Sequence, residues 1–141
     1  MRTIIGSEFP KIVIPKIDEA KKSIKIIVFD WRWYPNDPGS SCQLFNQSLV
    51  RAVRRGVDIG AITNFEGIAK TLEALGIKAK KIRVADIVHC KFIIIDDYFV
   101  VIGSHNFTQN AFTKNFEASV IFEDTEAAKK LLEFFEKLWL L

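Results

Sequence analysis

The sequence predicts an α/β fold in which a mixed β-sheet is sandwiched by helices. Short β-branched apolar runs alternate with stretches whose apolar residues recur at helical spacing. Gly56 and Gly76 punctuate that alternation, which argues for parallel pairing through crossover helices. Two further apolar runs lie late in the chain, separated only by Asp96-Asp97, and a tight turn there joins antiparallel strands. Both kinds of pairing in one sheet make it mixed. The length of 141 residues fits one domain.

The elements follow in order. Residues 15–22 read as a short helix that opens on Pro15 and carries charge on its outer face. Residues 23–29 (SIKIIVF) have the composition of a buried strand, and residues 30–41 (DWRWYPNDPGSS) that of a loop. Ser41 or a near neighbour caps a helix over 41–55, with Leu44, Phe45, Ser48, Leu49, Ala52 and Val53 at helical spacing. A second strand covers 57–63, a second helix 66–75, and a third, more exposed strand 77–84. Residues 88–95 and 98–102 pair as a hairpin, a polar link runs over 104–114, and another strand over 116–122. Asp124 caps a final helix, 125–138, with Leu131, Leu132, Phe135 and Leu138 on one face.

Hydrophobic residues at 49% and charged residues at 26% exclude a disordered chain. No apolar run has the length of a membrane span or a signal peptide, so a cytoplasmic protein without stable membrane association is expected. Cys42 and Cys90 have no metal-ligand spacing and are expected as free thiols; no metal or other cofactor is expected. The net charge of +3 neither demands nor excludes an anionic partner, so local clusters matter more. Lys78, Lys80, Lys81 and Arg83 form one such cluster, either a solvated strand edge or a contact for a polyanion. In Trp31-Arg32-Trp33-Tyr34, the aromatics and the arginine could stack bases at a cleft mouth, or cover the core or a subunit seam.

Chemistry concentrates around the hairpin. Side chains two apart on a strand share a face, so His89 and Lys91 point the same way. If Asp96 and Asp97 are the two turn residues, Ile95 pairs with Tyr98, Lys91 faces Ile102 and His89 lies opposite Ser104, with Asn106 two further on. A lysine, an amide, a hydroxyl and an imidazole gathered in this way suit a phosphate group. Lysine gives fixed charge, the amide and hydroxyl give directed hydrogen bonds, and imidazole can act as nucleophile or acid-base near neutral pH. His105 is expected as a loop residue without a chemical role.

The order His89, Lys91, Asp96, Gly103, Ser104, Asn106, at these spacings, resembles the signature motif of the phospholipase D superfamily. The helix ending Ala-Val-Arg-Arg-Gly-Val and Glu117 downstream are also placed as in that family. The resemblance implies a metal-independent phosphodiesterase that works through a phosphohistidine. Family enzymes use two copies of the motif, and this chain has one, as in the short Nuc-type endonucleases that homodimerise. By that resemblance His89 would attack phosphorus, Lys91 and Asn106 would hold the equatorial oxygens, Ser104 would assist, and Glu117 would orient a histidine. Asp96 matches a motif position, yet strand parity turns it away from His89, and it is expected as a structural acceptor at the turn. Nucleic acid is the substrate expected of a homodimer with this basic strand; a phospholipase and a non-catalytic nucleic-acid-binding dimer are the alternatives.

Overall fold

The computed structural model describes residues 1–141. Seven strands form one sheet in the order β1-β7-β6-β5-β2-β3-β4. The chain runs β1 (Arg2–Ile5), α1 (Glu8–Glu19), β2 (Ser23–Ile27), α2 (Ser41–Arg54), β3 (Asp58–Thr63), α3 (Glu66–Ala74), β4 (Lys78–Lys81), β5 (Phe92–Ile95), β6 (Phe99–Gly103), α4 (Gln109–Thr113), β7 (Ala118–Glu123) and α5 (Thr125–Trp139). Strands β2, β3 and β4 are parallel, and β5, β6, β7 and β1 are joined antiparallel onto the free side of β2. The mixed sheet between helices is therefore as the sequence predicts.

Strand alternation divides the core between the two faces. Ile24, Ile26, Ile59, Ala61, Ile93, Ile95 and Val101 pack with Phe9, Val13, Ile17, Phe45, Leu49 and Leu72 from α1, α2 and α3. Ile27, Ile62, Phe92, Ile94 and Val100 face the other way, onto Ala128 and Phe135 of α5. Caps fall where the side chains allow: the Ser40 hydroxyl accepts from Gln43 N, and the Asp124 carboxylate accepts from Glu126 N and Ala127 N.

Four local expectations are corrected. The first helix covers Glu8–Glu19 rather than 15–22 and holds Pro15 inside it. Pro10 sits in the first turn, where a missing N–H costs little, and Pro15 lies on the exposed face, while Phe9, Ile12, Val13 and Ile17 are buried. Residues 21–23 leave the helix because their N–H groups donate to the Asp96 carboxylate, at 2.7 Å for Lys22 and 3.0 Å for Lys21. Strand β1 has only Ile4 buried out of four residues, too little apolar signal to stand out in the sequence. The third and fourth strands are shorter than 77–84 and 88–95, since residues 82–91 cross from the sheet edge to its middle without regular pairing.

The hairpin register is the fourth correction. Ile95 pairs with Phe99, not Tyr98, and Phe92 pairs with Ile102. Asp96 and Asp97 take left-handed φ of 53° and 64°, as a tight turn requires, and Tyr98 N still donates to Ile95 O. Tyr98 is then an extra residue before pairing resumes. That one-residue slip removes the direct opposition of His89 to Ser104 and of Lys91 to Ile102.

Candidate active site

The strand directions gather the singled-out residues at one end of the sheet by another route. The carboxyl ends of β2, β3 and β6 and the amino ends of β5 and β7 all lie there. Asp96 sits beyond the far end of β5, holding residues 21–23.

Three small groups make up this end. In the first, Lys91 Nζ donates to the His89 carbonyl at 2.7 Å and lies 3.4 Å from His89 Nδ1. Both side chains lean on Phe29: the imidazole centroid is 5.2 Å from its ring, and Lys91 Nζ stands 5.7 Å above it. The His89 segment has no strand partner, and Asn64 supplies the missing restraint. Its Nδ2 donates to Phe29 O (3.0 Å) and Val88 O (2.7 Å), and its Oδ1 accepts from Val88 N (2.9 Å). Asn64 thereby ties the residue before His89 to the end of β2. Its position just after a strand gave no signal in the sequence beyond a turn-forming residue type.

In the second group, Ser104 Oγ donates to Glu117 Oε1 at 2.5 Å and accepts from Ala118 N at 3.0 Å. Glu117 Oε2 accepts from Asn115 Nδ2 at 3.1 Å. Within one chain, Glu117 therefore engages Ser104 and Asn115 and makes no hydrogen bond to His89. In the third, Asn106 Oδ1 accepts from Asp30 N at 3.1 Å, which leaves its NH₂ group free of protein partners. The loop carrying Asp30 runs beside residues 105–107, with Phe107 N donating to Asp30 O and Arg32 N to Phe107 O. Adjacent residues Phe29 and Asp30 thus bring the His89 and Asn106 groups to the same strand end.

Gly103 stands where no side chain fits. A Cβ there would lie 2.2 Å from Ser119 Oγ and 2.5 Å from Ala118 O. Ser119 is bonded to His105 Nδ1 at 2.7 Å, while His105 Nε2 meets Gly6 O at 2.8 Å. His105 is buried and stacked on Phe9, and burial lowers its pKa against the opposing pull of Gly6 O and Glu117. It is a structural histidine.

The remaining candidates are dispersed. Lys78 pairs with Asp58 at 3.1 Å, and Lys80 Nζ donates to Trp139 O at 2.7 Å while lying over the Trp139 ring. Only Lys81 and Arg83 of that cluster face solvent without such contacts. Trp31 is 2% exposed and donates its indole N–H to Asn46 Oδ1, so it belongs to the core and presents no face for stacking. Arg32 is exposed and forks onto the Asp30 carboxylate at 2.9 and 3.3 Å. Trp33 is half-buried against the core. Both cysteines are free; burial pushes the Cys42 thiol up to about 12 and raises that of Cys90. No three His, Cys, Asp or Glu side chains come together as a metal-ligand group, and no helix is long and apolar enough to cross a membrane.

Comparison with known proteins bears on the family and the fold. The family model described as "Cardiolipin synthase, PLD-like domain" matches residues 13–139. Phospholipase D from Rickettsia conorii is 32% identical over 129 residues, covering 87% of this chain and 60% of that protein. Mitochondrial cardiolipin hydrolase from Mus musculus is 33% identical over 107 residues, covering 72% of this chain and 45% of that protein. The crystal structure of Nuc from Salmonella typhimurium, a phospholipase D family member, superposes with a TM-score of 0.80 at 29% identity, over 98% of this chain and 93% of that one. The chain thus spans about half to three fifths of the two curated relatives and nearly all of the Salmonella structure.

Proposed function

The chain belongs to the phospholipase D superfamily, and from that premise we propose that it hydrolyses nucleic-acid phosphodiester bonds as a homodimer, with His89 as nucleophile and without a metal. The observation that carries this reading is the state of the two histidines. His89 is exposed beside a fixed ammonium, whereas His105 is buried and committed at both nitrogens. An in-line displacement needs a nucleophile on one side of phosphorus and an acid on the other. One chain offers one such imidazole, so the second comes from a second copy across a two-fold axis.

In the first step an imidazole nitrogen of His89 forms a bond to phosphorus and the bond to the leaving oxygen breaks. The partner subunit's His89, protonated, gives that oxygen its proton. Water then attacks phosphorus and passes a proton to the now neutral partner imidazole, and the nitrogen–phosphorus bond breaks. The products are one alcohol and one phosphomonoester. Lys91 and the free NH₂ of Asn106 hold the non-bridging oxygens as charge shifts onto them. Ser104 and Glu117 form a hydrogen-bonded pair at the same rim, available to orient the partner's imidazole. Exposed Lys81 and Arg83 favour a polyanion over a single headgroup.

The test is cleavage of a labelled single-stranded oligonucleotide in EDTA, with wild type beside His89→Ala. Cutting by wild type and at least about a thousandfold loss in the variant is expected for a missing nucleophile. The names of the Rickettsia and mouse relatives favour lipid as the second reading. Hydrolysis of cardiolipin or phosphatidylcholine vesicles with no cutting of oligonucleotides would install it. Oligonucleotide binding without cleavage from about pH 5 to 8, across the histidine range, would instead mark a non-catalytic binding dimer.

A further inference from the structure

Between the 30–33 loop and the start of α3 lies an open groove of about 290 Å³, whose lining includes Asp30, Arg32, Trp33, Phe65, Ile68 and Thr71. Its outer wall is the Phe65 ring, which is 47% exposed although it is large and apolar. Phe65 meets Phe29 edge-on with centroids 6.2 Å apart, and Phe29 in turn lies 5.2 Å from the His89 ring. The groove therefore begins one ring away from the His89 imidazole.

We infer that this groove is a nucleobase subsite, receiving the base of the nucleotide next to the phosphate held at His89 and Lys91. The inference rests on the nucleic-acid reading above. Two aromatic side chains, Phe65 and Trp33, offer flat apolar surface, which every base can use for stacking. Asp30, Arg32 and Thr71 place a carboxylate, a guanidinium and a hydroxyl in the same lining, which suits the donor and acceptor edge of a base. An acyl chain in the groove would strip water from the Asp30–Arg32 ion pair and add no polar contact in return. The Asp30 carboxylate does not repel a nearby phosphate as a bare anion would, because Arg32 forks onto it and is held charged by it. A base must leave its stack to enter the groove, and an unpaired strand enters more readily than a duplex.

The experiment compares cleavage of one oligonucleotide carrying either a normal nucleotide or an abasic one at each position flanking the cut, by wild type, Phe65→Ala and Phe65→Trp. Loss of one particular base should slow wild type by roughly tenfold or more, the usual weight of one stacking contact. Phe65→Ala should cut intact and abasic strands at the same low rate, and Phe65→Trp should restore the preference for the base. Equal rates of wild type on intact and abasic strands at every position would overturn the subsite and leave the nuclease standing. Failure of wild type to cut any oligonucleotide would overturn the nucleic-acid reading and the subsite with it. A fall in sedimentation coefficient of Phe65→Ala to that of a monomer would place Phe65 in the subunit seam and overturn the subsite alone.

Discussion

Gly103 shows how tightly a single position can be determined. The backbone of β7 passes so close that a methyl group would meet Ser119 and Ala118 well inside contact distance. Gly103→Ala should cost about 2 kcal/mol or more, as overpacking against backbone does, read as a fall in urea midpoint with the slope unchanged. The glycine was visible in the sequence as a motif letter, but its reason, the proximity of a neighbouring strand, was not. His105 was likewise seen only as a loop residue, because its partners Ser119 and Gly6 are distant in the chain. Its folded pKa lies below the ordinary value, so between the two the unfolded chain binds the extra proton. Stability is then full above about pH 6.5 and falls as pH drops below it. His105→Asn should start less stable and lose less on acidification from pH 7 to 5, measured by thermal melts at each pH.

At the scale of elements, local pattern and tertiary context divided the work. The parallel half was legible in outline because Ser40 opens α2 and Gly56 and Gly76 follow the ends of α2 and α3, and those signals are short-range. The first helix was not, because two prolines mimic a boundary that the buried stripe Phe9, Ile12, Val13 and Ile17 overrides. The hairpin turn was placed correctly at Asp96 and Asp97, yet one residue of register depends on Tyr98, whose carbonyl accepts from Asp124 N in the neighbouring strand connection. The grouping of His89, Lys91, Ser104 and Asn106 at one sheet end survived the slip because it depends on strand direction rather than on register. Asp96 fixes another element boundary by accepting from three successive N–H groups of residues 21–23. Asp96→Ala should therefore lower stability by about 1–3 kcal/mol, the cost of orphaned backbone donors. Its catalytic rate at a temperature where it is fully folded should match wild type, because the carboxylate stands at the opposite end of β5 from His89.

For the whole molecule, the decisive prediction concerns mixed subunits. If each site draws one His89 from each copy, a hybrid of wild type and His89→Ala lacks half of its machinery. After subunit exchange in an equal mixture, only wild-type pairs turn over, so activity falls to about a quarter of that of undiluted wild type at equal total protein. A fall to one half would mean that each copy acts alone. Composition carries no sign of assembly; the expectation of a homodimer came from the single copy of a motif that the family uses twice, and with His105 buried one exposed imidazole remains per chain.

The order of the strands carries one more consequence. Strand β2 has a neighbour reached by a helical crossover on one side and an oppositely directed neighbour on the other, so the connections leaving β2 and β3 and the one entering β5 all border the same end of the sheet. Those connections, residues 28–40, 64–65 and 82–91, can vary in length and chemistry while the sheet beneath keeps its packing. A scaffold of this kind can change the ligand it meets without relearning how to fold.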